Sequence, residues 1–120
     1  MCRIALTTAL CIAQMMWAMS DTSDEVCERI INAGLHKDML INLSWETLSA
    51  ANLNKTESST MRRMVEAQIG TLHNVVRRRE NALGAFRKCH AVDVVQKFRD
   101  VTVYPVIFCF DMHVLRKMLH

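Results

Sequence analysis

The sequence predicts an all-α fold, a stack of helices joined by short turns and followed by an irregular C-terminal tail. Three observations predict it. Apolar residues make up 51% of the 120 positions but aromatics only 6%, and chain breakers are few, with 3 Gly and 1 Pro beside 9 Met. Such a composition favours helix over sheet. Apolar residues also recur at helical steps along most of the chain, and one pattern of helix ends occurs twice. A charged share of 22% excludes a disordered chain. No unbroken run of 18 apolar residues marks a membrane span. The length fits one domain, expected over residues 1–100, with 101–120 a tail of different style.

Residues 4–19 read as a nearly all-apolar helix, with Leu6, Leu10, Ala13 and Trp17 at helical spacing. A helix apolar on most sides is expected between neighbours. Asp21-Thr22-Ser23 breaks it, and Thr22 with Glu25 fits a capping box. The next helix carries Val26, Cys27, Ile30 and Ile31 on one face, and Gly34 ends it, because glycine adopts positive φ without cost. A helix follows at about 36–50 with Met39, Leu40, Leu43 and Leu48 inward. Residues 51–60 are polar and read as a loop.

The stripe Met61, Val65, Ile69, Leu72 and Val76 predicts a helix over about 59–76. Arg77-Arg78-Arg79 close it, where cations suit a helix C-terminus. Short helices are expected at 80–89, with Leu83 and Phe86 inward, and at 91–99, with Val94, Val95 and Phe98 inward. Val101 to Phe110 is strand-like in composition but interrupted by Pro105, and 112–119 fits a last short helix.

The charge is uneven. Residues 1–60 hold 4 Lys/Arg against 7 Asp/Glu, a balance of −3, and residues 61–120 hold 11 against 5, a balance of +6. A basic half suits an acidic partner or nucleic acid. No aromatic is interleaved with Arg62, Arg63 and Arg77–Arg79 as base stacking requires, so nucleic acid is the alternative reading. The five cysteines are Cys2, Cys11, Cys27, Cys89 and Cys109, an odd and widely spaced set without a CxxC pair. Reduced, cytoplasmic thiols are the expectation. Arg3, the apolar run after it and Ala18-Met19-Ser20 also have features of a secretory signal peptide. Thr7, Thr8 and Gln14 dilute that run, so a buried helix is preferred. In a secreted form Asn42 and Asn54 would be glycosylation acceptors.

No enzyme pattern stands out. Cys109 and His113 lie four apart, but a zinc site needs four converging ligands, and none is expected. Cys89-His90 has no third group to orient a nucleophile. There is no GxSxG elbow and no glycine-rich phosphate loop. Neither catalysis nor a cofactor is expected.

Residues 16–22 can be laid on 69–75 at an offset of 53, with Met19 and Leu72 in register. Ile30 and Phe86 then fall in register at 56, with Ala33-Gly34-Leu35 beside Cys89-His90-Ala91. Trp17-Ala18-Met19-Ser20-Asp21, followed by Ile30-Ile31-Asn32-Ala33-Gly34-Leu35, resembles the armadillo repeat over about residues 4–100. The period of about 55 exceeds the roughly 40–47 of such repeats, His90 stands in place of the usual glycine, and Asp21 in place of the usual asparagine.

The resemblance implies an armadillo-like right-handed superhelical stack of about two units. It implies an interaction module or adaptor fragment that binds a protein or peptide segment on its third-helix face. Trp17, Asp21 and Asn74 would contact the partner, and Arg77 and Arg78 would favour an acidic one. No membrane contact is expected. Apolar ends would allow self-association, and a fragment of a longer solenoid is a further alternative.

Overall fold

A computed structural model describes residues 3–49, 55–79, 83–88 and 93–94. Every element among them is a helix: α1 (Arg3–Thr22), α2 (Asp24–Asn32), α3 (Leu35–Ser49), α4 (Lys55–Arg78) and α5 (Leu83–Lys88). Residues 93–94 are also helical. The expected tail over 101–120 and most of the expected helix over 91–99 lie outside the described residues, as do Cys89 and His90.

α1 runs through Asp21 and Thr22, so the expected break shrinks to one residue. Ser23 is the N-cap of α2, extended at φ −126° and ψ 114°, and its Oγ accepts the Val26 N–H at 3.2 Å. The capping box on Thr22 is therefore not formed. Glu25 turns instead to Arg29 at 3.0 Å, one helical turn on. A hydroxyl cap is worth about 1 kcal/mol. Ser23→Ala is expected to lower unfolding free energy by about that amount in a urea titration.

Gly34 ends α2 as expected, at φ 74°. Its N–H donates to Ile31 O at 3.0 Å, and the Ala33 N–H to Arg29 O at 2.9 Å. α4 begins at Lys55, so residues 55–60, expected as loop, are helical. Ser59 and Thr60 are half-buried. The continuing helix reaches them through packing, which overrides the weak propensity of this polar stretch.

α4 is the central element. One side, with Val65, Ile69, Leu72, Val75 and Val76, packs on Cys27 and Ile30 of α2 and Met39, Leu40 and Leu43 of α3, together with Phe86 of α5 and Val94. Another side, with Met64 and Ala67, meets Leu6, Leu10 and Ala13 of α1. Trp17 touches both clusters. Of the stripes expected from spacing, Leu6, Leu10 and Ala13 of α1 and Val65, Ile69, Leu72 and Val76 of α4 are buried, whereas Trp17, Val26, Ile31 and Met61 are half-buried and the side chains of Leu48 and Leu83 lie outside the described residues. The expectation that α1 is covered on most sides is not met among the described residues. Ile12, Met15 and Met19 are 54%, 59% and 44% exposed.

His36 is buried at the start of α3 and lies against Phe86, with ring centroids 5.6 Å apart. Its pKa is lowered from the ordinary value of 6.5, chiefly by burial and then by Lys37, against smaller opposing effects of the Ile30 backbone and Asp38. The neutral ring suits a helix start, where a cation is unfavourable. In the unfolded chain the ring protonates near 6.5, and in the fold only at lower pH. Stability is therefore expected to fall as pH drops below about 6.5 and to level off below the folded-state value. Denaturant midpoints at pH 7.5 and 5.5 check this, and His36→Phe should narrow the gap between them.

Candidate functional site

α1 and α4 lie side by side and run parallel, because their contacts keep a nearly constant separation in sequence. Trp17 meets Gly70, Ser20 meets Asn74, and Asp21 meets Arg77. The first separation, 53, is the offset at which residues 16–22 are laid on 69–75, and the other two are one and three residues longer.

Gly70 sets how closely the helices approach. Glycine inside a helix costs about 1 kcal/mol relative to alanine, and here a packing reason is visible. A Cβ on Gly70 would stand 2.2 Å from Trp17 Nε1 and 2.3 Å from Cε2. The indole therefore rests on bare backbone.

One turn further on, Asn74 ties the helices together. Its Nδ2 donates to Trp17 O at 3.2 Å and to Ser20 Oγ at 3.1 Å, and Ser20 Oγ donates to Trp17 O at 3.0 Å. The carbonyl of Ser20 accepts from Cys27 Sγ at 3.3 Å, which links the same turn to α2. The Cys27 thiol pKa is raised, chiefly by burial, as for a packing cysteine rather than a reactive one.

The arginine run closes this corner. Arg77 Nη2 lies 3.1 Å from Asp21 Oδ1, Arg78 Nη1 3.0 Å from Asp24 Oδ1, and Arg79 Nη2 3.0 Å from Glu28 Oε2. Arg78 also donates to the Asp21 carbonyl. Each pair is at least partly exposed and worth under about 1 kcal/mol, but the three fix the register of α4 against α1 and α2.

A cleft of about 470 Å³ opens between α1 and α4. Trp17, Asp21, Asn74 and Arg77, four of the five residues singled out from sequence, line it together with Gln14, Ala18, Gly70 and His73. Arg78 does not line it and is engaged at the α1–α2 corner instead. Both amide hydrogens of Asn74 are engaged within the fold, so this side chain holds the cleft together and does not offer its donors outward.

No protein-family profile, curated protein or solved structure matches the chain.

The cleft joins the face of an indole, the amide of Gln14 and a half-exposed carboxylate–guanidinium pair. Among the described residues no group of three or more His, Cys, Asp or Glu is placed to hold a metal ion, and no helix is long and apolar enough to cross a membrane. Gly70, Gln14 and His73 were not singled out from sequence. A signal for Gly70 was present, since an isolated glycine inside an apolar helical pattern marks a close approach, and the repeat register sets it opposite Trp17.

Proposed function

We propose that the chain is an armadillo-like interaction module that binds a partner polypeptide segment in the α1–α4 cleft, without catalysis. The observation that carries this reading is the meeting of Trp17, Asp21, Asn74 and Arg77 at one cleft, between two helices in register with the internal repeat. An indole supplies a large rigid contact surface. The Asp21–Arg77 pair is exposed enough to exchange for an acidic partner group. Asn74 acts from below, by holding the Trp17 turn. The module is read as cytoplasmic, in keeping with the free thiols of Cys11 and Cys27. Nucleic acid is the weaker reading, because Arg77–Arg79, the densest basic run, face Asp21, Asp24 and Glu28.

The test uses peptides selected from a random display library against the full chain. Ala18 is exposed and lines the cleft. Ala18→Arg is expected to weaken binding at least tenfold while helical circular dichroism and the melting midpoint stay unchanged. Unchanged affinity in this variant would remove the cleft as the binding site.

A further inference from the structure

A second pocket, of about 280 Å³, lies between α1, α3 and α4. It shares no lining residue with the α1–α4 cleft. Each of the three helices gives it one methionine: Met16 from α1, Met39 from α3 and Met64 from α4. Met39 and Met64 are buried, each within a core cluster that holds it in place. Ile12 also lines the pocket but is exposed, which puts it at the mouth. Thioether chains adapt to irregular shapes, and their sulfur makes favourable contacts with aromatic rings. An apolar cavity of about 150 Å³ holds benzene, so this pocket has room for two fused rings and a small substituent.

Its polar side is equally specific. Asn42 Nδ2 donates to Gln68 Oε1 at 2.9 Å, tying α3 to α4. Both side chains are half-buried and line the pocket. The bond leaves over the Asn42 carbonyl oxygen and the Gln68 NH2 group, one acceptor and one donor. Turning both amides end for end leaves the same combination. Among the described residues neither leftover group meets another partner. Thr71, the remaining polar residue of the lining, donates its hydroxyl to Ala67 O at 2.8 Å. None of the described lining residues is charged, so a buried carboxylate or ammonium would stand there unpaired. A carboxamide is neutral and presents a donor beside an acceptor, the complement of what the amide pair leaves open.

We infer that this pocket binds a neutral bicyclic aromatic molecule carrying a carboxamide. The rings lie among the three methionines and the carboxamide pairs with Asn42 and Gln68. This small-molecule site goes beyond the peptide reading of the cleft and does not depend on it.

The probe is 2-naphthamide, followed through the methyl signals of isotope-labelled methionine in the full chain. Single Met→Leu variants, which conserve volume, assign those signals. The Met16, Met39 and Met64 methyls are expected to shift saturably in the ring current, while Met15 and Met19, which do not line the pocket, stay in place. Two ligands of nearly the same shape test the polar side in the unaltered protein. The ketone 2-acetylnaphthalene lacks the N–H donors and should bind about tenfold more weakly, the effect of one lost hydrogen bond. The carboxylate 2-naphthoate should bind at least tenfold more weakly, because its charge is left unpaired. Asn42→Leu or Gln68→Leu should abolish the preference for carboxamide over ketone, and if neither variant folds, the ligand comparison decides alone. Absence of saturable shifts at the three methyls would overturn the inference. So would equal shifts at Met15 and Met19, or a ketone or carboxylate bound as tightly as the carboxamide. Peptides selected for the α1–α4 cleft should bind equally well with the probe present. Displacement of the probe by those peptides would place it in the cleft, overturning this inference and leaving the cleft reading intact.

Discussion

Replacing Gly70 by alanine is expected to destabilise the fold by about 3 kcal/mol, at the upper end of ordinary overpacking costs. Alanine is the better helix former by about 1 kcal/mol, so a simple helix-propensity argument gives the opposite sign. Geometry decides between the two effects. The added Cβ would lie 2.2 Å from Trp17 Nε1, well inside contact distance, so the indole must leave its seat. Trp17 packs on both core clusters, and its displacement loosens α1 along most of its contact with α4. For a domain of this size the loss corresponds to a fall in melting temperature of roughly 10–20 °C. Trp17→Leu relieves the clash. In the Gly70→Ala background it should therefore cost far less than in the wild type, and a double-mutant cycle reads the difference as coupling. A Gly70→Ala variant as stable as the wild type would mean that the helices do not approach as described.

Removing the Asn74 amide is expected to cost about 2 kcal/mol, the usual penalty for breaking a buried hydrogen-bonded group. Asn74 is 4% exposed and holds both the Trp17 carbonyl and the Ser20 hydroxyl. In Asn74→Ala the Ser20 hydroxyl still serves the carbonyl at 3.0 Å but loses its own donor in a buried place. Ser20→Ala should therefore cost less in that background than in the wild type. Chemical denaturation of the four proteins in the cycle gives the coupling, expected at about 1 kcal/mol. If Asn74 acted only on an outside partner, the variant would keep full stability, and that outcome would move Asn74 back to a direct contact.

Much of the helical framework could be read from residue spacing. The stripes Leu6–Leu10–Ala13–Trp17 and Val65–Ile69–Leu72–Val76 are the contact faces of α1 and α4, because burial imposes the helical period on apolar residues. Gly34 marked its turn for the same kind of local reason, since positive φ selects glycine. The cap of α2 is Ser23 and not the expected Thr22, because both residues are capable caps and only the path of α1 chooses between them. Residues 55–60 are polar and read as loop from composition, whereas the helix continues through them from the packed part of α4.

The site was harder to read. Arg77–Arg79 look like a free basic end when taken alone. Their partners Asp21, Asp24 and Glu28 lie more than 50 positions away, and their pairing depends on α1 and α4 running parallel. The uneven charge of the two halves is in part the trace of this internal match. Asn74 was singled out for an outward role, but its engagement with Trp17 and Ser20 becomes visible only when the helices are placed together.

α1 and α4 pack in parallel, with Trp17 seated on Gly70. Proton–proton Overhauser contacts from the Trp17 indole N–H test it most directly. The other tryptophan, Trp45, is removed by Trp45→Phe, so that the remaining indole signal is assigned without ambiguity. Strong cross-peaks are expected from this N–H to the Gly70 α-protons. Cross-peaks to residues near Met61 instead, or none to α4 at all in a folded chain, would contradict it.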